Sequence, residues 1–124
     1  MEKLIENISK NFEIIKIDNN FVEIKTNLEF KKSVPVRVFL KKVDDKFYIS
    51  DNKNTLRYMN TIYNLSSKDV IQCINDIVNH YRFKIDKGEI LGEINAENAK
   101  RRFLDFIVCC QSLANMFIFF DDPN

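Results

Sequence analysis

The feature that most constrains this chain is the strict two-residue alternation that opens Val34–Leu56. Val34, Val36, Val38 and Leu40 alternate with Pro35, Arg37, Phe39 and Lys41. Period two sends successive side chains to opposite faces, so this is a strand with one apolar face. Pro35 donates nothing to a ladder and belongs at a strand start or edge. Asp44-Asp45-Lys46 is a turn signal, and Phe47 to Ser50 is the returning strand. Asn54 or Thr55 is placed to cap a following helix.

The same reasoning extends outward. Leu4, Ile5 and Ile8 predict a short amphipathic helix over 2–11. Phe12–Ile17 and Phe21–Phe30 predict two strands, with a turn at Asp18-Asn19-Asn20, where Asn tolerates positive φ. Four strands joined by short turns favour an antiparallel meander with one covered face. Leu56–Tyr63 reads as a short helix. Ser67–Tyr81 reads as a strong one, because Val70, Ile71, Ile74, Ile77, Val78 and Tyr81 fall at helical spacing. Ser66 and Asp69 have the spacing of a capping box. Phe83–Ile94 predicts a small second hairpin that turns at Asp86-Lys87-Gly88, with Gly92 marking a bulge.

Asn95 is placed to cap a long last helix, from Ala96 to about Phe119. At ~1.5 Å per residue it would be ~36 Å long. Ala99, Phe103, Phe106, Cys110, Leu113 and Phe117 repeat with heptad-like spacing. Such a seam fits either the core or an interface between chains. The expected fold is a single α+β domain of 124 residues: an antiparallel sheet of about four strands packed by two or three helices, with a small second hairpin and a long C-terminal helix.

Composition narrows function. Two glycines argue against a glycine-rich phosphate loop. Eleven phenylalanines supply a core and aromatic anchors for a partner, with Phe103, Phe106, Phe117 and Phe119 the candidates. A net charge of +1 excludes a strongly basic or acidic protein, yet residues 31–57 hold eight Lys and Arg against three Asp. Arg37, Lys41 and Lys42 in that span, with Lys100, Arg101 and Arg102, are candidate contacts for phosphate or an acidic partner. The bland alternative is a solvated sheet face with edge lysines. Glu97 stands one turn before Arg101 and could pair with it.

Cys73, Cys109 and Cys110 fit no metal-ligand or redox spacing and read as core thiols of a reduced, cytoplasmic protein. Residues 1–11 carry no apolar signal run, and no stretch reaches the ~18 apolar residues of a membrane span. His80 is the one histidine, with Asp76 a turn earlier, too few ligands for zinc. No cofactor, metal or catalytic constellation is expected. Glu23-Ile24-Lys25 and Asp44-Asp45-Lys46 match the acidic–lysine pattern of metal-dependent nucleases, which is a minor reading.

Tyr48, Ser50, Asp51 and Thr55, followed by Asn79-His80-Tyr81 and by Asp86, Gly88, Glu89, Ile90 and Leu91, resemble the motifs of a bacterial and phage family called domain of unknown function 1828. The resemblance covers roughly residues 21–117. The family's usual turn glycine is replaced here by Lys53 or Asn54. The resemblance implies a small α+β domain of phages and mobile elements and carries no catalytic residues with it. The expected function is therefore a protein-interaction module, such as an inhibitor of a host defence complex. Nucleic-acid binding through the basic hairpin is the alternative, and a homodimer through the last helix is a further expectation.

Overall fold

The computed structural model describes residues 1–8 and 12–116. Its elements run α1 (Glu2–Ile8), β1 (Glu13–Asp18), β2 (Phe21–Lys31), β3 (Val34–Val43), β4 (Lys46–Ser50), α2 (Asn54–Met59), α3 (Lys68–His80), β5 (Lys84–Asp86), β6 (Glu89–Ile94) and α4 (Ala99–Ala114). The fold is α+β, and the sheet has six antiparallel strands rather than four, in the order β1-β2-β3-β4-β6-β5. The second hairpin is not separate. Its β6 pairs with β4, Phe47 opposite Ile94 and Ser50 opposite Leu91, and so extends the meander.

Short connections make the hairpins, and local chemistry selects each turn. Lys87 (φ 51°) and Gly88 (φ 84°) are both left-handed, as the two-residue turn between Asp86 and Glu89 requires. The β3–β4 turn takes its positive φ at Asp44 (56°). At Asn19-Asn20 neither residue has positive φ; the Asp18 carboxylate instead accepts the Asn20 N–H at 2.7 Å. The long β2 strand is bent by a register shift between Lys25 and Glu29, where Asn27 (φ 61°) is the left-handed residue.

All four helices pack into one layer. α1, α2 and α3 each rest on α4, which lies against β3. The core is the apolar face of the sheet, Val22, Ile24, Val36, Val38, Leu40, Ile49 and Ile90, closed by Phe103, Phe106, Cys110 and Leu113 of α4. Two ring contacts fix α4 in place: Phe12 on Phe103 at 5.2 Å, and Phe83 edge-on to Phe106 at 5.0 Å.

This packing corrects the reading of the last helix. α4 spans sixteen residues, ~24 Å at 1.5 Å per residue. It starts at Ala99, and in the turn before it Asn95 and Asn98 exchange N–H···Oδ1 bonds at 2.9 Å, the reciprocal pattern of a capping box, so Asn95 does accept the N–H three residues on. The described part of the heptad seam faces the sheet within the chain. Phe103 and Phe106 are 1% and 0% exposed, so they serve the core and are withdrawn from any partner or dimer seam. Phe117 and Phe119 lie outside the described residues. The capping box at Ser66 and Asp69 does not form: α3 begins after Ser67 without a side-chain cap, and Asn64 Oδ1 accepts the Ser66 N–H at 3.0 Å.

Truncating a fully buried ring at the helix–sheet contact leaves a cavity that the close-packed surroundings fill only in part. Phe106→Ala is expected to lower stability by about 3–5 kcal/mol, read as the shift of the urea midpoint at unchanged slope.

Candidate interaction surface and the motif node at its edge

Ser50, Asp51 and Thr55 of the first sequence motif meet Glu89 and Ile90 of the second at one point. β4 ends at Ser50, and Asp51 turns the chain into α2. The Asp51 carboxylate is 0% exposed. It accepts the N–H groups of Lys53 (3.0 Å), Thr55 (2.9 Å) and Ile90 (3.0 Å) and the Thr55 hydroxyl. The Asp51 N–H in turn donates to the Ile90 carbonyl at 3.2 Å. One side chain thus caps α2 and ties β6 to the end of β4. This displaces Asn54 and Thr55 as the expected caps: Lys53 occupies the cap position and makes no side-chain bond to the helix. Asn52 (φ 51°) and Lys53 (φ 71°) are consecutive left-handed residues, which explains why a glycine is expected in this turn.

Burial pushes the Asp51 pKa up against the pull of its four donors. Burial, reinforced by the Asp51 charge, also raises the Cys109 thiol to about 12 and the Cys110 thiol well above its ordinary value. Thiols this hard to ionise are poor nucleophiles. Cys73 is likewise raised, by burial and then by Asp76. The node is a structural clasp in which every hydrogen-bonding group of Asp51 is used.

The clasp borders the sheet face turned away from the helices. Cross-strand partners share a face, so this side carries Phe21, Glu23, Lys25, Arg37, Phe39, Lys41, Val43, Lys46, Tyr48, Ser50, Lys84, Glu89, Leu91 and Glu93. Phe39 is 1% exposed yet stands apart from the core cluster. It is covered by Phe21, stacked at 5.3 Å and 13°, and by the Arg37 guanidinium 5.1 Å above its ring. Arg37 also grips Glu23 through two bonds of 2.9 Å, and this donation holds Glu23 below the ordinary carboxylate range. Lys41 reaches past β4 to Glu89, which also accepts the Ser50 hydroxyl. Burial raises Glu89, but those donors outweigh it and its pKa is lowered. Lys46 pairs with Glu93 at 2.9 Å.

These pairs revise the basic hairpin. Arg37, Lys41 and Lys46 are each matched by a glutamate from another strand, so the excess of five along 31–57 falls to two in space. Lys42 leans over Phe47 at 5.8 Å. Arg102 is not a free phosphate ligand: its guanidinium donates to the carbonyls of Tyr81, Arg82 and Glu93 at 3.1–3.2 Å and lies 4.1 Å over Phe83. Gly92 sits beneath it. The β4–β6 register runs through Gly92 without the expected bulge; a Cβ there would fall 2.4 Å from Arg102 and 2.6 Å from Phe83, so the glycine permits close approach. Lys100 and Arg101 are exposed, and Arg101 makes no pair with Glu97. Among the described residues no three His, Cys, Asp or Glu side chains converge as a metal site, and no helix is long and apolar enough to cross a membrane.

Two substitutions test the clasp. Asp51→Ala strands buried N–H donors and is expected to cost about 3 kcal/mol or more, while Lys53→Gly relieves a left-handed side chain and adds about 1 kcal/mol; both are read by urea unfolding. The Asp51 carboxyl should titrate above its ordinary 3.8 by NMR. The folded form then binds that proton more tightly, so the carboxyl's contribution to stability falls as pH rises from 3.8 through the folded-state value.

No curated protein and no solved structure matches the chain. The model of one family, the domain of unknown function DUF1828, matches residues 26–112. That span contains the Ser50-Asp51 turn, the Asp86–Leu91 hairpin and α4 up to Ser112, and over it the chain belongs to the DUF1828 family.

Proposed function

We propose that this chain is a non-catalytic binding module whose open sheet face meets a protein partner. The observation that supports this is the one-sided sheet. Every helix packs on one face, and the other carries a fixed array of rings and ion pairs. Val43 is 52% exposed there, and Phe21 and Tyr48 are half-buried. Apolar side chains set among matched charges suit a protein surface, in which a polar rim surrounds apolar anchors. They suit a polyanion poorly, because Arg37, Lys41 and Lys46 at the centre of this face already have carboxylate partners. The array is also ordered before binding, so little rotamer entropy remains to be lost on association. In the mobile-element setting that the family resemblance implies, the partner would be a component of a host defence complex.

Capture of a host protein by the tagged chain is expected to survive both nuclease and high salt. It should be lost in the double variant Phe21→Ala, Val43→Lys, with thermal unfolding still cooperative. Nucleic acid that washes away with salt, or undiminished capture by the variant, would overturn the proposal.

A further inference from the structure

A second surface lies where the β5 end of the sheet meets the start of α4. Two open depressions, of about 600 Å³ and 480 Å³, adjoin there and share Arg82, Glu93 and Arg102. Lys46 and Lys84 line one and Arg101 lines the other. Five cations thus face two carboxylates, Glu93 and Asp105, an excess of three. Arg82, Lys84 and Arg101 are exposed and have no carboxylate partner among the described residues. Arg102 between them is held by three carbonyls and feels the charges of both Arg82 and Arg101. Arg37, Lys41 and Lys46 are each paired with a glutamate, whereas Arg82, Lys84 and Arg101 are left unmatched among the described residues.

Polypeptide fits this groove better than a nucleic-acid strand for two reasons. Glu93 and Asp105 stand within it and would repel an unbroken run of phosphates. β5, the last strand of the sheet, has its outer edge unpaired among the described residues. Its backbone N–H and C=O groups can extend the ladder to an added strand, which a phosphodiester backbone cannot supply. We propose that the β5 edge and the cluster of Arg82, Lys84 and Arg101 form a docking groove for an extended, carboxylate-bearing protein segment. This stands whether or not the open face takes a partner.

The probe is a fluorescein-labelled alternating Glu-Thr peptide of about twelve residues, sized for one short strand and its flanks. Wild-type protein should bind it at low salt, with affinity falling as salt rises. Arg82→Asn with Arg101→Gln should weaken binding about tenfold or more; Asn is chosen because Arg82 has φ 64°. Lys31→Gln with Lys32→Gln removes the same charge from the distant β2–β3 turn and should leave binding within about twofold. Equal loss in both double variants, no binding of the peptide, or tighter binding of an oligothymidylate of the same length would each overturn the proposal.

Discussion

The Asp51 carboxylate is the contact on which the architecture turns. It is buried, and it satisfies backbone donors from three separate places: the turn at Lys53, the first turn of α2 at Thr55, and β6 at Ile90. Without it, α2 has no side-chain cap, and β6 loses the anchor that holds it beside the end of β4. A buried carboxylate costs free energy unless its lone pairs are used. Here they are used to fix the relation between sheet and helices. Both sides of this contact, Asp51 with Thr55 and Ile90, fall within the span that the family matches.

Beneath the clasp, the core is one-sided. α4 lies against β3 and gathers the other helices around itself, so the sheet is dry on one face only. The other face answers the same problem with side chains instead of helices. Phe39 is sealed by a stacked ring and a guanidinium. Ser50 is small enough for Lys41 to reach Glu89 across β4. The surface is thereby closed to water at its centre without a second layer.

Periodicity carried far in the sequence, because it reports burial directly. The alternation over Val34–Leu40 and the helical stripe from Val70 to Val78 are both present in the structure. Capping was read less well. Asn54 and Ser66 each have a suitable side chain, but Asp51 takes the donors of α2 and α3 starts without a side-chain cap, whereas Asn95 does accept the N–H of Asn98; single residues do not announce which competitor wins. Partners in space were least legible. Arg37, Lys41 and Lys46 looked like a basic run until strand pairing set Glu23, Glu89 and Glu93 beside them. Phe103 and Phe106 are suited to a core first and to an interface second, since hydrophobicity says that a ring is covered and not by what. Lys53 did carry a readable signal: a lysine where a glycine is expected, now found at φ 71°.

The pairing of β4 with β6 has a consequence for the order in which the chain assembles. The strands from β1 to β4 are neighbours in sequence and close short loops. β6 arrives only after α2, α3 and β5 have been passed, with Asp51 and Ile90 separated by 39 positions. The entropy of closing a loop grows with its length, so the meander forms from cheaper contacts than the join does. The clasp lies at that join. Asp51 therefore holds the far end of a long loop, and the α3–β5–β6 segment relies on that carboxylate as well as on the β4–β6 ladder to stay with the meander.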